Sequence, residues 1–138
     1  MSLVTDLGPP GLPLHLDVVI MKNRSFNERF VFALNGLGAA WRREISFRVQ
    51  TVLAACAVVV LVVLRPPLAW WAIVAITIAL VLAIELVNSA FEALVDHLHP
   101  DIHPKVRIIK DMAAGSVLLS AAGAVVVGLL LLANYYWN

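Results

Sequence analysis

Three long apolar segments constrain the fold of this chain more than any other feature of its sequence. They cover residues 49–64, 68–87 and 112–132, and only Glu85 interrupts them with a charge. A helix needs about 20 apolar residues to cross a bilayer, and the first segment approaches that length by drawing on residues that precede Thr51. Hydrophobic residues make up 62% of the chain and charged residues 14%, whereas soluble domains average about 45–50% and about 25%. The sequence therefore predicts an all-α membrane protein with three transmembrane helices.

The N-terminal part of the chain has a different character from these segments. Residues 1–24 include Pro9, Pro10 and Pro13, and they carry neither a basic N-terminal region nor a small-residue cleavage site. This composition predicts a disordered extension and not a signal peptide. We therefore expect the membrane-embedded domain to comprise residues 25–138.

An amphipathic helix is predicted over residues 25–48, before the first span. Its apolar residues recur at intervals of three and four, while charged residues cluster toward its end. A helix with this pattern suits the plane of a membrane surface. The alternative is an ordinary helix packed on a soluble core, but the rest of the chain is too apolar to provide one. The apolar positions are Phe30, Ala33, Leu34, Leu37, Trp41 and Ile45.

The lysines and arginines predict the orientation of the spans. Arg65 alone lies between spans one and two, and the other basic residues flank the opposite side. Positive charge marks the cytoplasmic side of a membrane protein, so the N-terminus and the loop between spans two and three are predicted to be cytoplasmic.

A polar stripe interrupts the second span. If this helix continues to residue 97, Glu85, Asn88, Glu92 and Asp96 fall within an arc of about 80° over about 16 Å of helix. An ionised carboxylate within a bilayer costs at least about 2.5–3.5 kcal/mol, so it must be paired, ligated or protonated.

Two interpretations of the stripe remain open. In one it is a helix–helix seam, with Asn88 bonding across and with Glu92 and Asp96 paired to Arg48 or Lys110. In the other it is a functional site at the membrane–water boundary, where a lipid headgroup meets a soluble cosubstrate.

Other polar residues are expected at the same membrane level. Glu44 ends the predicted surface helix, Arg48 follows one turn later, and Lys110 and Asp111 open the third span. Carboxylates such as Glu44, Glu92 and Asp111 supply the oxygen ligands that Mg²⁺ prefers, and Lys110 and Arg48 can contact ATP or a lipid headgroup. The chain has no GxxxxGK[ST] motif, so ATP would bind through metal and side chains.

Three motifs carry a resemblance to a known family. E-L-V-N-S-A-F-E-A-L-V-D, the later K-D-M-A-A-G-S and the upstream A-A-W-R-R-E-I-S-F-R together resemble the bacterial integral-membrane diacylglycerol kinases. The resemblance implies a homotrimer of three-span subunits, each with a surface helix, and sites between subunits. It also implies phosphorylation of a lipid alcohol by Mg-ATP and a location in the bacterial inner membrane.

The resemblance also implies roles for individual residues. Glu85 corresponds to the catalytic base, and Glu44 and Glu92 correspond to carboxylates that hold Mg²⁺. The remaining matches, which are expected to contact ATP or the lipid, are Asn88, Asp96, Lys110 and Asp111.

Two departures bear on metal binding and on the substrate. Gln50 stands where many diacylglycerol kinases have another Glu, which weakens the case for a third metal ligand. The loop H-L-H-P-D-I-H-P and the A-A-G after Lys-Asp-Met are more similar to the undecaprenol-kinase branch. We predict a kinase that converts diacylglycerol to phosphatidate, with undecaprenol as the alternative substrate. The alternative of another class is a non-catalytic membrane assembly protein.

Overall fold

The computed structural model describes residues 25–98 and 104–137. These residues form helices without any strand, which confirms the predicted all-α class. The four helices are α1 (Phe26–Arg43), α2 (Ile45–Leu64), α3 (Leu68–Leu98) and α4 (Pro104–Trp137).

The chain divides into two compact units, Met1–Gly36 and Leu37–Asn138. In the first, the described residues form the beginning of α1, where Ser25 and Glu28 cap the helix. The Glu28 carboxylate accepts a hydrogen bond of 2.9 Å from the Ser25 amide, and the Ser25 hydroxyl lies 3.1 Å from the same oxygen. The second unit holds the end of α1 and the three long helices. The predicted disorder of residues 1–24 and the histidine-containing loop at 99–103 lie outside the described residues.

The three predicted membrane spans are confirmed within the described residues. α2, α3 and α4 have 20, 31 and 34 residues and are each apolar enough to cross a bilayer. At 1.5 Å per residue, α2 is about 30 Å long, which matches the hydrocarbon core. α3 and α4 are longer than this thickness, so each has a portion that extends beyond it.

The surface helix ends earlier than the predicted boundary at Arg48. Glu44 has extended backbone angles (φ −104°, ψ 114°) and forms the N-cap of α2, so residues 45–48 belong to the first span. Basic residues in the last turn of α1 and an acidic residue at the start of α2 both complement the helix dipoles. The break therefore gives α2 its full length and leaves Glu44 at a helix junction.

The helix that contains the third span begins before residue 112, the predicted start of that span. α4 starts at Pro104, whose fixed φ and missing N–H suit the first turn of a helix. Lys110 and Asp111 consequently lie within the helix and not before it. α3 ends at Leu98, within one residue of the predicted end at 97.

The turn between α2 and α3 follows the Arg-Pro-Pro sequence. Arg65 adopts the left-handed conformation (φ 49°, ψ 50°), and its N–H donates to the Leu61 carbonyl at 2.9 Å. This contact satisfies an orphan carbonyl at the helix end. Pro66 and Pro67 then prevent α2 from continuing, so α3 turns back along it.

α3 packs against both α2 and α4. A small core of Leu61, Val74 and Leu131 joins the three helices at the end near the Arg-Pro-Pro turn. At this end the Trp70 indole Nε1 donates to Asn134 Oδ1 at 2.9 Å, linking α3 to α4. Elsewhere the spans are little buried within one chain, so lipid or further copies of the chain must cover them.

The Trp70–Asn134 hydrogen bond yields a stability prediction. Trp70→Phe should lower the free energy of unfolding by about 0.5–1.5 kcal/mol more than Trp71→Phe, because both remove ring area but only Trp70 donates to Asn134. Unfolding of the purified protein in mixed detergent and SDS measures the difference. Equal losses in the two variants would show that the hydrogen bond contributes no net stability.

Candidate functional site

Among the described residues, Glu85 is the only charged side chain that is buried, and 3% of its surface is exposed. It accepts a hydrogen bond from Gln50 Nε2 on α2, with 3.0 Å between Nε2 and Glu85 Oε2. Glu85 lies about 26 Å along α3 from Leu68, close to the far edge of a hydrocarbon core of about 30 Å. A carboxylate at this depth needs a partner, and Gln50 provides it.

The polar stripe on α3 passes from buried to exposed along the helix. Glu85 is buried, Asn88 and Glu92 are half-buried, and Asp96 is exposed. Asn88 Nδ2 donates to Glu92 Oε1 at 3.0 Å, an arrangement that one continuous helix allows at a spacing of four. The amide of Asn88 therefore holds the Glu92 carboxylate in place.

Lys110 connects the start of α4 to the end of α3. Its Nζ lies 2.8 Å from Asp96 Oδ1 and 3.1 Å from Oδ2. The side chains of Lys110 and Asp96 are 31% and 63% exposed. Water screens a pair this open, so its contribution to stability is small and Lys110 can exchange Asp96 for another anion.

Glu44 lies half-buried at the junction of α1 and α2. Three carboxylates predicted from sequence therefore lie on these elements, one at the helix junction and two on α3.

The side chains of two other predicted site residues contact none of these carboxylates among the described residues, although the Arg48 N–H donates to the Glu44 carbonyl at 3.3 Å. Arg48 is exposed on α2. Asp111 is exposed and lies 3.9 Å from Arg107 Nε, a neighbour on its own helix. Within one chain, the structure does not place either of them against Glu85 or Glu92.

Two buried amide oxygens have no hydrogen-bond partner among the described residues: Gln50 Oε1 and Asn88 Oδ1. An unsatisfied buried acceptor costs about 1–3 kcal/mol. A seam that served only to join helices would be expected to satisfy these oxygens, whereas a binding site leaves acceptors ready for a ligand. They therefore favour the functional interpretation of the stripe, although the Lys110–Asp96 pair is one that the seam interpretation anticipated.

Sequence reasoning missed the role of Gln50. It identified this position only as a departure that weakened metal binding. A usable signal was present, because Gln50 is the one amide side chain of α2, at the start of its long apolar run. Its partner lies 35 positions away in the sequence, so no local pattern identified it.

The carboxylates could bind Mg²⁺ that is already held by a nucleotide. They do not form a site in which protein side chains alone would surround the ion. No group of three metal-binding side chains occurs in residues 25–98 and 104–137. Mg²⁺ on a nucleotide needs only one or two carboxylates, because phosphates and water complete its shell. Glu92 and the free Asn88 oxygen are hard ligands of the required kind.

Comparison with known sequences agrees with these features. The family described as prokaryotic diacylglycerol kinase matches residues 31–132, which include the polar stripe and its neighbours on α2 and α4.

Individual relatives cover most of the chain. A diacylglycerol kinase of Escherichia coli K12 is 31% identical over 105 residues, which are 76% of this chain and 86% of the relative. An undecaprenol kinase of Bacillus subtilis is 34% identical over 110 residues, covering 79% and 88%. A diacylglycerol kinase of Synechocystis is 36% identical over 100 residues, which are 72% of this chain but only 57% of that longer relative.

The exposed Lys110–Asp96 pair leads to a prediction that distinguishes a site from a seam. Lys110→Met should change the thermal unfolding midpoint by no more than the control Arg107→Met, because both remove a cation from a water-exposed ion pair. Scanning calorimetry of the two variants in the same detergent makes the comparison. A much larger loss for Lys110→Met would mean that this pair holds α3 and α4 together, as the seam interpretation requires.

Proposed function

Because the chain belongs to the prokaryotic diacylglycerol kinase family of lipid kinases, we propose that it transfers the γ-phosphoryl group of ATP to a membrane lipid alcohol. The proposed substrate is diacylglycerol and the proposed product is phosphatidate. One observation carries the proposal: the Glu85 carboxylate is buried where the apolar part of α3 approaches its polar end. A base in this position can reach the hydroxyl of a lipid that remains in the membrane.

Glu85 acts in this proposal as the general base. It would accept the proton of the lipid hydroxyl as the hydroxyl oxygen attacks the γ-phosphorus of ATP, while the bond from that phosphorus to the β–γ bridging oxygen breaks and ADP leaves. The hydrogen bond from Gln50 fixes one carboxylate oxygen, which leaves the other to face the substrate. The apolar surroundings exclude water from the base, so that a lipid hydroxyl competes well for it.

The phosphate groups would lie on the more exposed part of the stripe. Lys110 would transfer its contact from Asp96 to a phosphate oxygen, with Asp96 limiting where its ammonium can move. Glu44 and Glu92 would hold Mg²⁺, and Asn88 orients Glu92 through its amide. When bound, Mg²⁺ supplies charge neutralisation for the phosphoryl group, which is the main requirement of this chemistry.

Arg48 and Asp111 would contact ATP or the lipid headgroup from the edge of the site. Both are exposed in one chain, so a nucleotide or a neighbouring subunit can reach them. In the most apolar stretch of each span, only 11%, 11% and 6% is buried within one chain. This open packing supports a homotrimer in which helices cover one another and the sites lie between subunits.

The family and the three spans place this protein in a membrane. We propose the bacterial inner membrane, with the N-terminus in the cytoplasm. The lysines and arginines support this orientation, because those other than Arg65 flank the side that carries Glu92, Asp96 and Lys110. The site then faces the compartment that contains ATP.

Undecaprenol is the second candidate substrate. The Bacillus subtilis relative named undecaprenol kinase matches as much of this chain as the diacylglycerol kinases do. Both lipids present one hydroxyl group on a hydrocarbon body, so the proposed chemistry at Glu85 is the same for each.

An assay with purified protein tests the proposed function and the substrate together. Radiolabelled ATP and Mg²⁺ are supplied with detergent micelles that contain diacylglycerol, undecaprenol or neither. We expect label in phosphatidate. Label in undecaprenyl phosphate alone would change the substrate, whereas label in neither lipid would favour the non-catalytic membrane assembly protein.

The role of Glu85 and Glu92 is tested by isosteric substitution. Glu85→Gln and Glu92→Gln should each lower kcat at least about 100-fold, because one removes the base and the other a charged metal ligand. Glu28→Gln is the control, since Glu28 caps the start of α1 and is not one of the predicted site residues, so this variant should retain wild-type turnover. Size-exclusion chromatography checks assembly. Loss of the oligomer in the Glu85 and Glu92 variants, with full activity in the assembled remainder, would contradict a catalytic role.

A further inference from the structure

Gln50 has two hydrogen-bonding groups, and the structure uses only one of them. Its Nε2 donates to Glu85 Oε2 at 3.0 Å. Its Oε1 is buried and has no partner among the described residues. The reverse orientation of the amide would place two oxygens against each other, so the Glu85 carboxylate determines which end of Gln50 stays free.

The free group is an acceptor, which determines what chemistry it can recognise. An amide oxygen accepts a hydrogen bond from an O–H or N–H donor, and it offers nothing to an ester carbonyl or an ether oxygen. The lipid alcohols considered above each have one donor, which is the hydroxyl that receives the phosphoryl group. A hydroxyl bound to Gln50 Oε1 would therefore lie beside the Glu85 carboxylate.

An apolar cavity reaches Gln50. It has a volume of about 500 Å³ and lies between α2, α3 and α4. Gln50 and Thr77 are the polar residues in its lining, and the Thr77 hydroxyl already donates to the Ile73 carbonyl of its own helix at 2.8 Å. A group that reaches Gln50 through this cavity is therefore one attached to a hydrocarbon chain.

We propose that Gln50 is a substrate-positioning residue: Nε2 orients the Glu85 carboxylate, and Oε1 accepts a hydrogen bond from the hydroxyl of the lipid alcohol. The inference rests on the proposed function and assigns Gln50 a role beyond that of an absent metal ligand. One side chain thereby sets the position of both the base and the oxygen that loses its proton.

Three variants test this role. Gln50→Leu has a similar size but neither donates nor accepts. Gln50→Glu keeps an acceptor oxygen at the same distance from the backbone. Thr51→Val is the control, because the neighbouring Thr51 hydroxyl donates only to the Phe47 carbonyl of its own helix at 2.8 Å.

Steady-state kinetics separates the two substrates. Gln50→Leu should raise the KM for the lipid alcohol about tenfold and lower kcat about fivefold, while the KM for ATP stays within about twofold. Gln50→Glu should keep the lipid KM within about threefold of wild type, because its carboxyl oxygen can accept the hydroxyl hydrogen bond. Its kcat should fall at least as far as that of Gln50→Leu, because it lacks the Nε2 donor that orients Glu85. Thr51→Val should match wild type in all three constants.

The results distinguish this inference from the proposed function. A wild-type protein that phosphorylates neither lipid overturns the proposed function itself. An active wild type with an unchanged lipid KM in Gln50→Leu overturns only the role of Gln50. A parallel rise in both KM values, or a lipid KM in Gln50→Glu that rises as far as in Gln50→Leu, would also overturn it. Either result would indicate general damage to the site and not a lost acceptor for the hydroxyl.

Discussion

The hydrogen bond between Gln50 and Glu85 is the interaction on which the site depends. A carboxylate at the depth of Glu85 is costly in an apolar environment unless a neighbouring group solvates it. Gln50 supplies that group from another helix, so α2 and α3 must be held in one register for the carboxylate to remain buried. The Arg-Pro-Pro turn and the small core at the opposite end of the helices provide this register. Packing at one end of the bundle therefore sets the position of a polar group at the other.

The three spans differ in length, and this difference lets a small chain place side chains both in the bilayer and in the water beside it. α2 matches the hydrocarbon thickness, whereas α3 and α4 are longer by about 15–20 Å of helix. The additional turns of α3 and α4 place Glu92, Asp96 and Lys110 beyond the apolar region, whereas Glu85 lies near its edge. In the proposed function, a lipid hydroxyl and a nucleotide would therefore meet on one helix face without the lipid leaving the membrane.

The polar contacts of the site combine structural and chemical roles. Asn88–Glu92 and Lys110–Asp96 are contacts that a helix–helix seam would also use. The unsatisfied oxygens of Gln50 and Asn88 are not, because buried acceptors are ordinarily paired. Both oxygens belong to side chains whose amide nitrogens hold a carboxylate. Each amide nitrogen thus holds one carboxylate in place, and in the proposed function the amide oxygen would accept a hydrogen bond from, or coordinate, a ligand.

The sequence by itself determined the helical class, the three spans and the shared face of Glu85, Asn88, Glu92 and Asp96. These features follow from hydrophobic length and from the helical repeat, which are local properties of the chain. The roles of Glu44, Glu92 and Glu85 came from motifs and remain predictions. Only the tertiary structure decided that Gln50 contacts Glu85, that α1 ends before Glu44 and that Asp111 turns toward Arg107. The physical reason is that the partner of a side chain on a neighbouring helix depends on the rotation and register of the two helices, and neither is encoded in the repeat of one helix.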